Sequence, residues 1–343
     1  MRFGRFEIKH PLCLAPMEDV SDRPFRLLCK AYGADVVYTE FTSSEALIRG
    51  VSSAHSKIEV TDEERPIGIQ IYGSMENSME EAARIVESFM PDFVDVNCGC
   101  WVSKIAQRGD GAGLLRDLKK FRAVIEAVQR GTHLPVTVKT RLGWDEKSIV
   151  VLEVVKMLED MGIAAVTIHF RTRSQGMSGS ADWTWIPRIK EQSCIPLIAN
   201  GDIKTPQDVV RCFELGADGV MLGRAAIHSP WIFRDIKHFL NTGELREAPT
   251  IEERVAMLLR HLRAHVAYRG ERYGVVSFRR YYSGYLNGIP HGAKLRKELM
   301  EYKETAAIED RLLRFLEEGT SPCEARLPLE TTDEAILDTS HCY

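Results

Sequence analysis

The chain has 343 residues, of which 44% are hydrophobic and 27% charged, with a formal charge of −4, the composition of a globular enzyme; this length admits one barrel with an appendage or two domains. No apolar run approaches the roughly 20 residues of a membrane span, and Met1-Arg-Phe-Gly-Arg-Phe-Glu7 lacks a signal peptide's apolar region, so a cytoplasmic protein with no membrane partner is expected. Cysteines at 13, 29, 98, 100, 194, 212, 323 and 342 sit mostly in strand-like or helix-like segments, without the spacing of a disulfide framework or a zinc site, so no metal is expected.

Eight short apolar segments follow in chain order: Leu12 to Met17, Val36 to Thr39, Ile67 to Ile71, Phe93 to Asn97, Val136 to Lys139, Val166 to His169, Leu197 to Ala199 and Val220 to Leu222. Amphipathic stretches such as Met79 to Phe89, Lys119 to Arg130 and Ser148 to Met161 separate them. Near-continuous apolar strands alternating with helices indicate parallel strands buried on both faces, and eight of them predict an α/β fold of the (β/α)8 TIM-barrel type over residues 1–240. Beyond 240 the strand pattern stops. Thr250-Ile-Glu-Glu253 reads as a capping box, Leu258, Leu262 and Val266 continue at helical spacing, and helical stretches over 274–287 and from Ala293 complete a small all-α domain over 245–319. Residues 320–343 read as an acidic, poorly packed tail.

Barrel active sites are built where strands end. Here the strands end in Pro16-Met17, Glu40, Gln70, Asn97 with Cys100, Lys139 with Arg141, His169 with Arg171, Asn200-Gly201-Asp202 and Gly223-Arg224. Taken singly, Cys98-Gly99-Cys100-Trp101 is open to three readings: two small buried residues, half a metal site, or a catalytic acid beside a spectator. Asn200-Gly201-Asp202 and Gly223-Arg224 put small residues, backbone N–H groups and a guanidinium after strands seven and eight, where barrels commonly hold phosphate. Pro16 and Met17 supply an apolar wall, Gln70 and Lys139 a polar edge, and a lysine there suits the negative charge of a reduced isoalloxazine. The ligand these groups match best is FMN.

The charge is unevenly spread. Residues 321–343 carry a net −4, so the remainder is neutral, and within it residues 259–303 hold ten Arg and Lys against three Glu. A stretch of net +7 attracts nucleic-acid phosphates without sequence preference, with Arg279, Arg280 and Lys294 as the expected contacts and Tyr281, Tyr282 and Tyr285 as stacking faces.

The segments Leu14-Ala-Pro-Met-Glu-Asp-Val-Ser-Asp-Arg-Pro24, Gln70-Ile-Tyr-Gly73, Asp95-Val-Asn-Cys-Gly-Cys100, Val138-Lys-Thr-Arg141, Ile168-His-Phe-Arg-Thr-Arg173, Ala199-Asn-Gly-Asp202 and Gly223-Arg224 closely resemble tRNA-dihydrouridine synthases of the bacterial type. The resemblance runs over roughly residues 5–315. It implies an FMN-binding barrel, a helical tRNA-binding domain, and reduction of tRNA uridines to 5,6-dihydrouridine with NADPH as reductant. Carried over by position, FMN contacts fall on Ala15, Pro16, Met17, Gln70, Lys139, Asn200, Gly201, Asp202, Gly223 and Arg224. Cys100 matches the proton donor, and Asn97, Arg141, His169 and Arg171 match the uracil pocket. A monomer is expected.

The chemistry suits these residue types. Reducing the uracil C5–C6 bond takes a hydride at C6 and a proton at C5, and the proton needs a separate acid. A thiol of pKa near 8.5 is protonated at neutral pH and leaves a stable thiolate. Cationic or donor groups such as His169 or Arg141 stabilise charge developing on the C4 carbonyl oxygen. Two positions depart from the family pattern: Trp101 stands where Pro usually follows the cysteine, removing a fixed φ, and Phe170 stands where Gly is common. Three alternatives compete: an FMN barrel acting on a free pyrimidine or dihydroorotate, an RNA-binding protein with a vestigial site, and a non-redox phosphate-binding barrel. The basic helical segment argues against the first, and Lys139 and His169 against the second.

Overall fold

A computed structural model describes residues 1–319, and the tail expected over 320–343, with Cys323 and Cys342, lies outside the described residues. Each of the eight apolar segments forms a parallel strand: Leu12–Leu14, Val37–Tyr38, Ile67–Tyr72, Phe93–Cys98, Val136–Arg141, Ala165–His169, Leu197–Asn200 and Gly219–Leu222. From the second strand on, neighbours pair in chain order, with Gln70 opposite Asp95, Asn97 opposite Lys139 and Arg141 opposite His169. Strand eight returns to strand one, Leu222 opposite Leu14, and a parallel bridge between Cys13 and Val36 joins strands one and two. The result is the expected TIM-type barrel. Among the described residues no helix is long and apolar enough to cross a membrane.

Local sequence sets the surrounding helices. Arg23–Ala31 starts at Asp22, whose carboxylate accepts the Phe25 N–H, with Pro24 in the first turn. Leu118–Gly131 is capped by Asp117, and Pro206–Glu214 by a reciprocal Thr205 and Asp208 box. Each turns an apolar stripe onto the strands, burying Phe121, Val124, Ile125 and Val128 in one case and Val209 and Cys212 in another.

Aromatic rings fill the barrel interior. A two-stranded hairpin, Arg2–Phe3 with Phe6–Glu7, precedes the barrel and buries Phe3 against Phe93 at 5.4 Å between centroids, and Tyr38 meets the same ring edge-on at 5.2 Å. Gly68 is required beside it, because a Cβ there would lie 2.1 Å from the Phe93 ring. Burial of one such ring is worth about 2–3 kcal/mol. A polar layer also crosses the interior: Gln70 Nε2 donates to Asp95 Oδ2 at 2.6 Å, Thr137 donates to Asp95 Oδ1, and Asn97 Nδ2 donates to Gln70 Oε1 at 2.9 Å. Burial pushes the Asp95 carboxyl up to about 6, against the opposing pull of Gln70 and Thr137.

The chain divides into two compact units between Arg246 and Glu247. The second is wholly helical in its described part, with Ile251–Arg269, Glu271–Phe278, Tyr282–Leu286, Gly292–Leu299 and Thr305–Gly319. The Thr250 and Glu253 capping box forms as expected. Its core corrects one expectation: Tyr281, Tyr282 and Tyr285 are fully buried and present no stacking face. Tyr281 packs 4.5 Å from the His261 ring and the Tyr285 hydroxyl lies 3.1 Å from His261 Nδ1, so these rings and Phe278 build the unit's core.

Candidate active site

A cavity of about 310 Å³ opens at the C-terminal ends of the strands. Strand one gives Ala15, Pro16 and Met17; strand four Asn97 and Cys100; strand five Lys139 and Arg141; strand six His169; strand seven Asn200, Gly201 and Asp202; strand eight Gly223 and Arg224. Of the barrel residues expected as cofactor, uracil or proton-donor contacts, only Gln70 and Arg171 do not line it. Gln70 is fully buried, its carboxamide spent on Asn97 and Asp95, because the residue opposite it on strand four is a carboxylate that takes its N–H. Arg171 is also buried, forked onto Asp202 with Nη2 to Oδ2 at 2.6 Å and Nη1 to Oδ1 at 3.1 Å. Glu40 is buried and does not line the cavity, accepting the Asp19 N–H at 2.5 Å.

Asn97 shapes the Cys100 turn. Its Oδ1 accepts the backbone N–H groups of Gly99 at 3.0 Å and Cys100 at 2.9 Å, an Asx-type turn that carries the chain off the strand. Arg141 braces the same turn, donating from Nε to Gly99 O at 2.9 Å and from Nη1 to Thr172 O and Gly176 O at 2.9 and 2.8 Å. Cys100 is half-buried at the cavity while Cys98 is fully buried within strand four. Burial raises the Cys100 thiol above its ordinary range, partly offset by the Val102 N–H and the Arg141 guanidinium, so it is protonated at neutral pH. Cys98 is a core residue.

The next strand ends carry the cations. Lys139 Nζ donates to Asn200 Oδ1 at 3.1 Å, and Asn200 Nδ2 donates to Met221 O at 2.8 Å. Burial and then Arg141 lower Lys139 to about 8. Burial, reinforced by Arg141, Lys139 and Arg171, holds His169 well below the ordinary imidazole range, so its ring is neutral. Arg171 Nη1 sits 3.4 Å from His169 Nε2, and since arginine only donates, the ring proton belongs on Nδ1. Burial alone raises Asp202, but Arg171, the Ala181 N–H and Arg224 hold it below the usual carboxylate range. It also receives Arg224 Nη2 at 2.9 Å. Gly201, at φ +109, admits this packing, for a Cβ would lie 2.6 Å from His169 Cδ2.

Sequence reasoning passed over part of the lining. Phe41, Val102, Met177, Ile203 and Lys204 also border the cavity. Lys204, two residues past Asn-Gly-Asp, was within reach of the strand-end pattern; Met177 comes from a loop whose path depends on Arg141. Trp101, 43% exposed, stands at the cavity with its ring close to the Gly176 backbone.

Fold and site together define a (β/α)8 barrel protein with a cationic pocket lined by one thiol, Cys100. The chain belongs to the dihydrouridine synthase (Dus) family, whose profile matches residues 13–319. It is 36% identical over 317 residues to a probable tRNA-dihydrouridine synthase of Rickettsia bellii, covering 92% of this chain and 97% of that one. It is 37% identical over 297 residues to tRNA-dihydrouridine synthase B of Xanthomonas axonopodis pv. citri, covering 86% and 90%. Among solved structures, a variant of NCR from Zymomonas mobilis shares the fold at a TM-score of 0.50 and 19% identity, over 72% of this chain and 91% of that one.

Proposed function

We propose that this protein reduces uridines in tRNA to 5,6-dihydrouridine, with FMN as its cofactor and NADPH as reductant, acting as a cytoplasmic monomer. The observation that carries the reading is the half-buried Cys100 thiol held at a cavity that also contains Lys139, Arg141 and His169.

The pocket suits a flat anionic ligand. Lys139, Arg141, Lys204 and Arg224 line it against Glu18 and Asp202. A Cβ on Gly223 would come within 3.6 Å of both Ala15 Cβ and Met17 Sδ, so the missing side chain leaves a slot beside an apolar wall. In this reading Ala15, Pro16, Met17 and Gly223 take the ring face, Lys139 and Asn200 its polar edge, and Gly201 and Arg224 the phosphate. Asp202 acts by aiming Arg224, and Gln70 by fixing Asn97. When bound, FMN supplies the hydride for uracil C6 and NADPH renews it.

The chain's own residues supply the rest. Cys100 gives its Sγ proton to C5 and is left a thiolate, which Arg141 stabilises and solvent reprotonates. Nδ1–H of His169 and the Arg141 guanidinium favour charge on the C4 carbonyl oxygen. Arg171 orients His169 rather than touching the uracil. Arg279, Arg280 and Lys294 of the helical unit contact tRNA phosphates: Arg279 Nη2 and Arg280 Nε rest on Tyr302 O and Ser277 O at 3.3 and 3.0 Å, and Lys294 is exposed.

The test is dihydrouridine formation in an unmodified tRNA transcript supplied with the protein, FMN and NADPH. Product in tRNA and none from free uridine or uracil supports the reading; turnover of the free pyrimidine alone supports the small-molecule barrel instead.

A further inference from the structure

Trp101 has no role in the chemistry above, yet its setting is built. It is among the exposed large apolar side chains at 43%, it lines the cavity together with Met177 at 39%, and it follows directly on the proton donor. A tryptophan this open is not held by core burial. Its ring is nevertheless seated: a Cβ on Gly176, at φ +57, would lie 3.1 Å from Trp101 Cε3 and 3.3 Å from Cζ3. The two loops that make this seat are tied together. Arg141 donates both to Gly99 O, in Trp101's own loop, and to Gly176 O, in the loop beneath the ring. Arg173 adds a second tie, Nη2 to Ser103 Oγ at 2.9 Å.

From this geometry we infer that Trp101 is a tRNA-binding residue that stacks on a nucleobase flanking the uridine being reduced. This inference rests on the function proposed above. A uridine inside folded RNA must leave its stack to reach the thiol, and its neighbour then loses a stacking partner. Trp101 is covalently next to the residue that meets the uracil, so its indole is offered where that neighbour arrives. A base on an aromatic ring gains about 1–3 kcal/mol without sequence preference. Because Gly176 lies against the ring and Arg141 ties the two loops together, little rotamer freedom is lost on binding.

The experiment compares wild type, Trp101→Ala and Trp101→Phe in two measurements: the Kd for an unmodified tRNA transcript by fluorescence anisotropy, and separate KM values for tRNA and NADPH. The expected result is a rise of about tenfold or more in tRNA Kd and KM for Trp101→Ala, a recovery of most of that loss in Trp101→Phe, and an NADPH KM that moves far less. A rise confined to the NADPH KM overturns the inference and assigns the ring to the reductant. A fall in kcat with unchanged tRNA Kd, not relieved by Phe, overturns it and leaves a loop-shaping role. If wild type binds tRNA without making dihydrouridine, the proposed function fails, while the Kd comparison still decides whether Trp101 stacks on RNA.

Discussion

Asn97 Oδ1 lies 2.9 Å from the backbone nitrogen of Cys100, and the other end of the same carboxamide donates to Gln70 Oε1 at 2.9 Å. One buried amide thus couples the barrel's polar interior to the turn that carries the thiol. Replacing it frees that turn and strips a buried acceptor of its donor. Asn97→Ala is expected to slow dihydrouridine formation by about 10²-fold, the usual penalty for ångström-scale misplacement, and to cost about 1–3 kcal/mol in stability. Single-turnover rates and urea denaturation check the two effects separately.

Lys139 governs an alkaline limb. Burial and Arg141 lower it to about 8, so the lysine of the ligand-free protein loses its charge as pH rises through that value. Affinity for FMN, titrated by flavin fluorescence, is therefore expected to be level from about pH 6 to 7 and to fall beyond 8. Lys139→Gln removes that limb. In turnover, Cys100 adds a loss at higher pH, because burial raises its thiol and the reaction needs the protonated form.

Asp95 makes stability pH-dependent. Its carboxyl is raised to about 6 by burial, above the unfolded value near 3.9, so the folded state holds this proton more tightly. The contribution is fully present below the unfolded pKa and is lost as pH rises through about 6, on the order of 3 kcal/mol. Denaturation midpoints of wild type and Asp95→Asn at pH 4.5 and 7 test this, with a flatter difference expected for the variant.

Arg279→Ala with Arg280→Ala is expected to weaken tRNA binding and to lower the salt slope of log Kd by about 1 to 2, one phosphate contact each. Both guanidinium groups are half-buried and bonded to backbone carbonyls, so circular dichroism has to accompany the binding isotherms. Lys294→Ala, at an exposed position, gives the same direction with no packing cost.

The barrel was legible because its strands are short, apolar and bounded by polar ends, a pattern set by nearest neighbours and burial on both faces. The positions lining the cavity followed from the same register. What escaped depends on contacts distant in sequence. Gln70 looked free to face a ligand, yet Asp95 across the sheet claims its N–H. Arg171 looked like a pocket residue, but Asp202, 31 positions on, draws it inward. Arg-Arg-Tyr-Tyr-Ser-Gly-Tyr285 read as a surface for RNA, whereas Phe278, Tyr281 and Tyr285 fall on one helical face that His261 completes from another helix. Nothing local to Trp101 announces that Gly176 lies against its ring.

The central claim is that Cys100 delivers the proton, and one comparison tests it most directly. Wild type, Cys98→Ala and Cys100→Ala, each loaded with FMN, are incubated with NADPH and an unmodified tRNA transcript, and dihydrouridine is counted by mass spectrometry of the digested RNA. The account predicts bound flavin in all three, near-normal product from Cys98→Ala, and a loss of about 10²-fold or more from Cys100→Ala. Equal product from wild type and Cys100→Ala would contradict it.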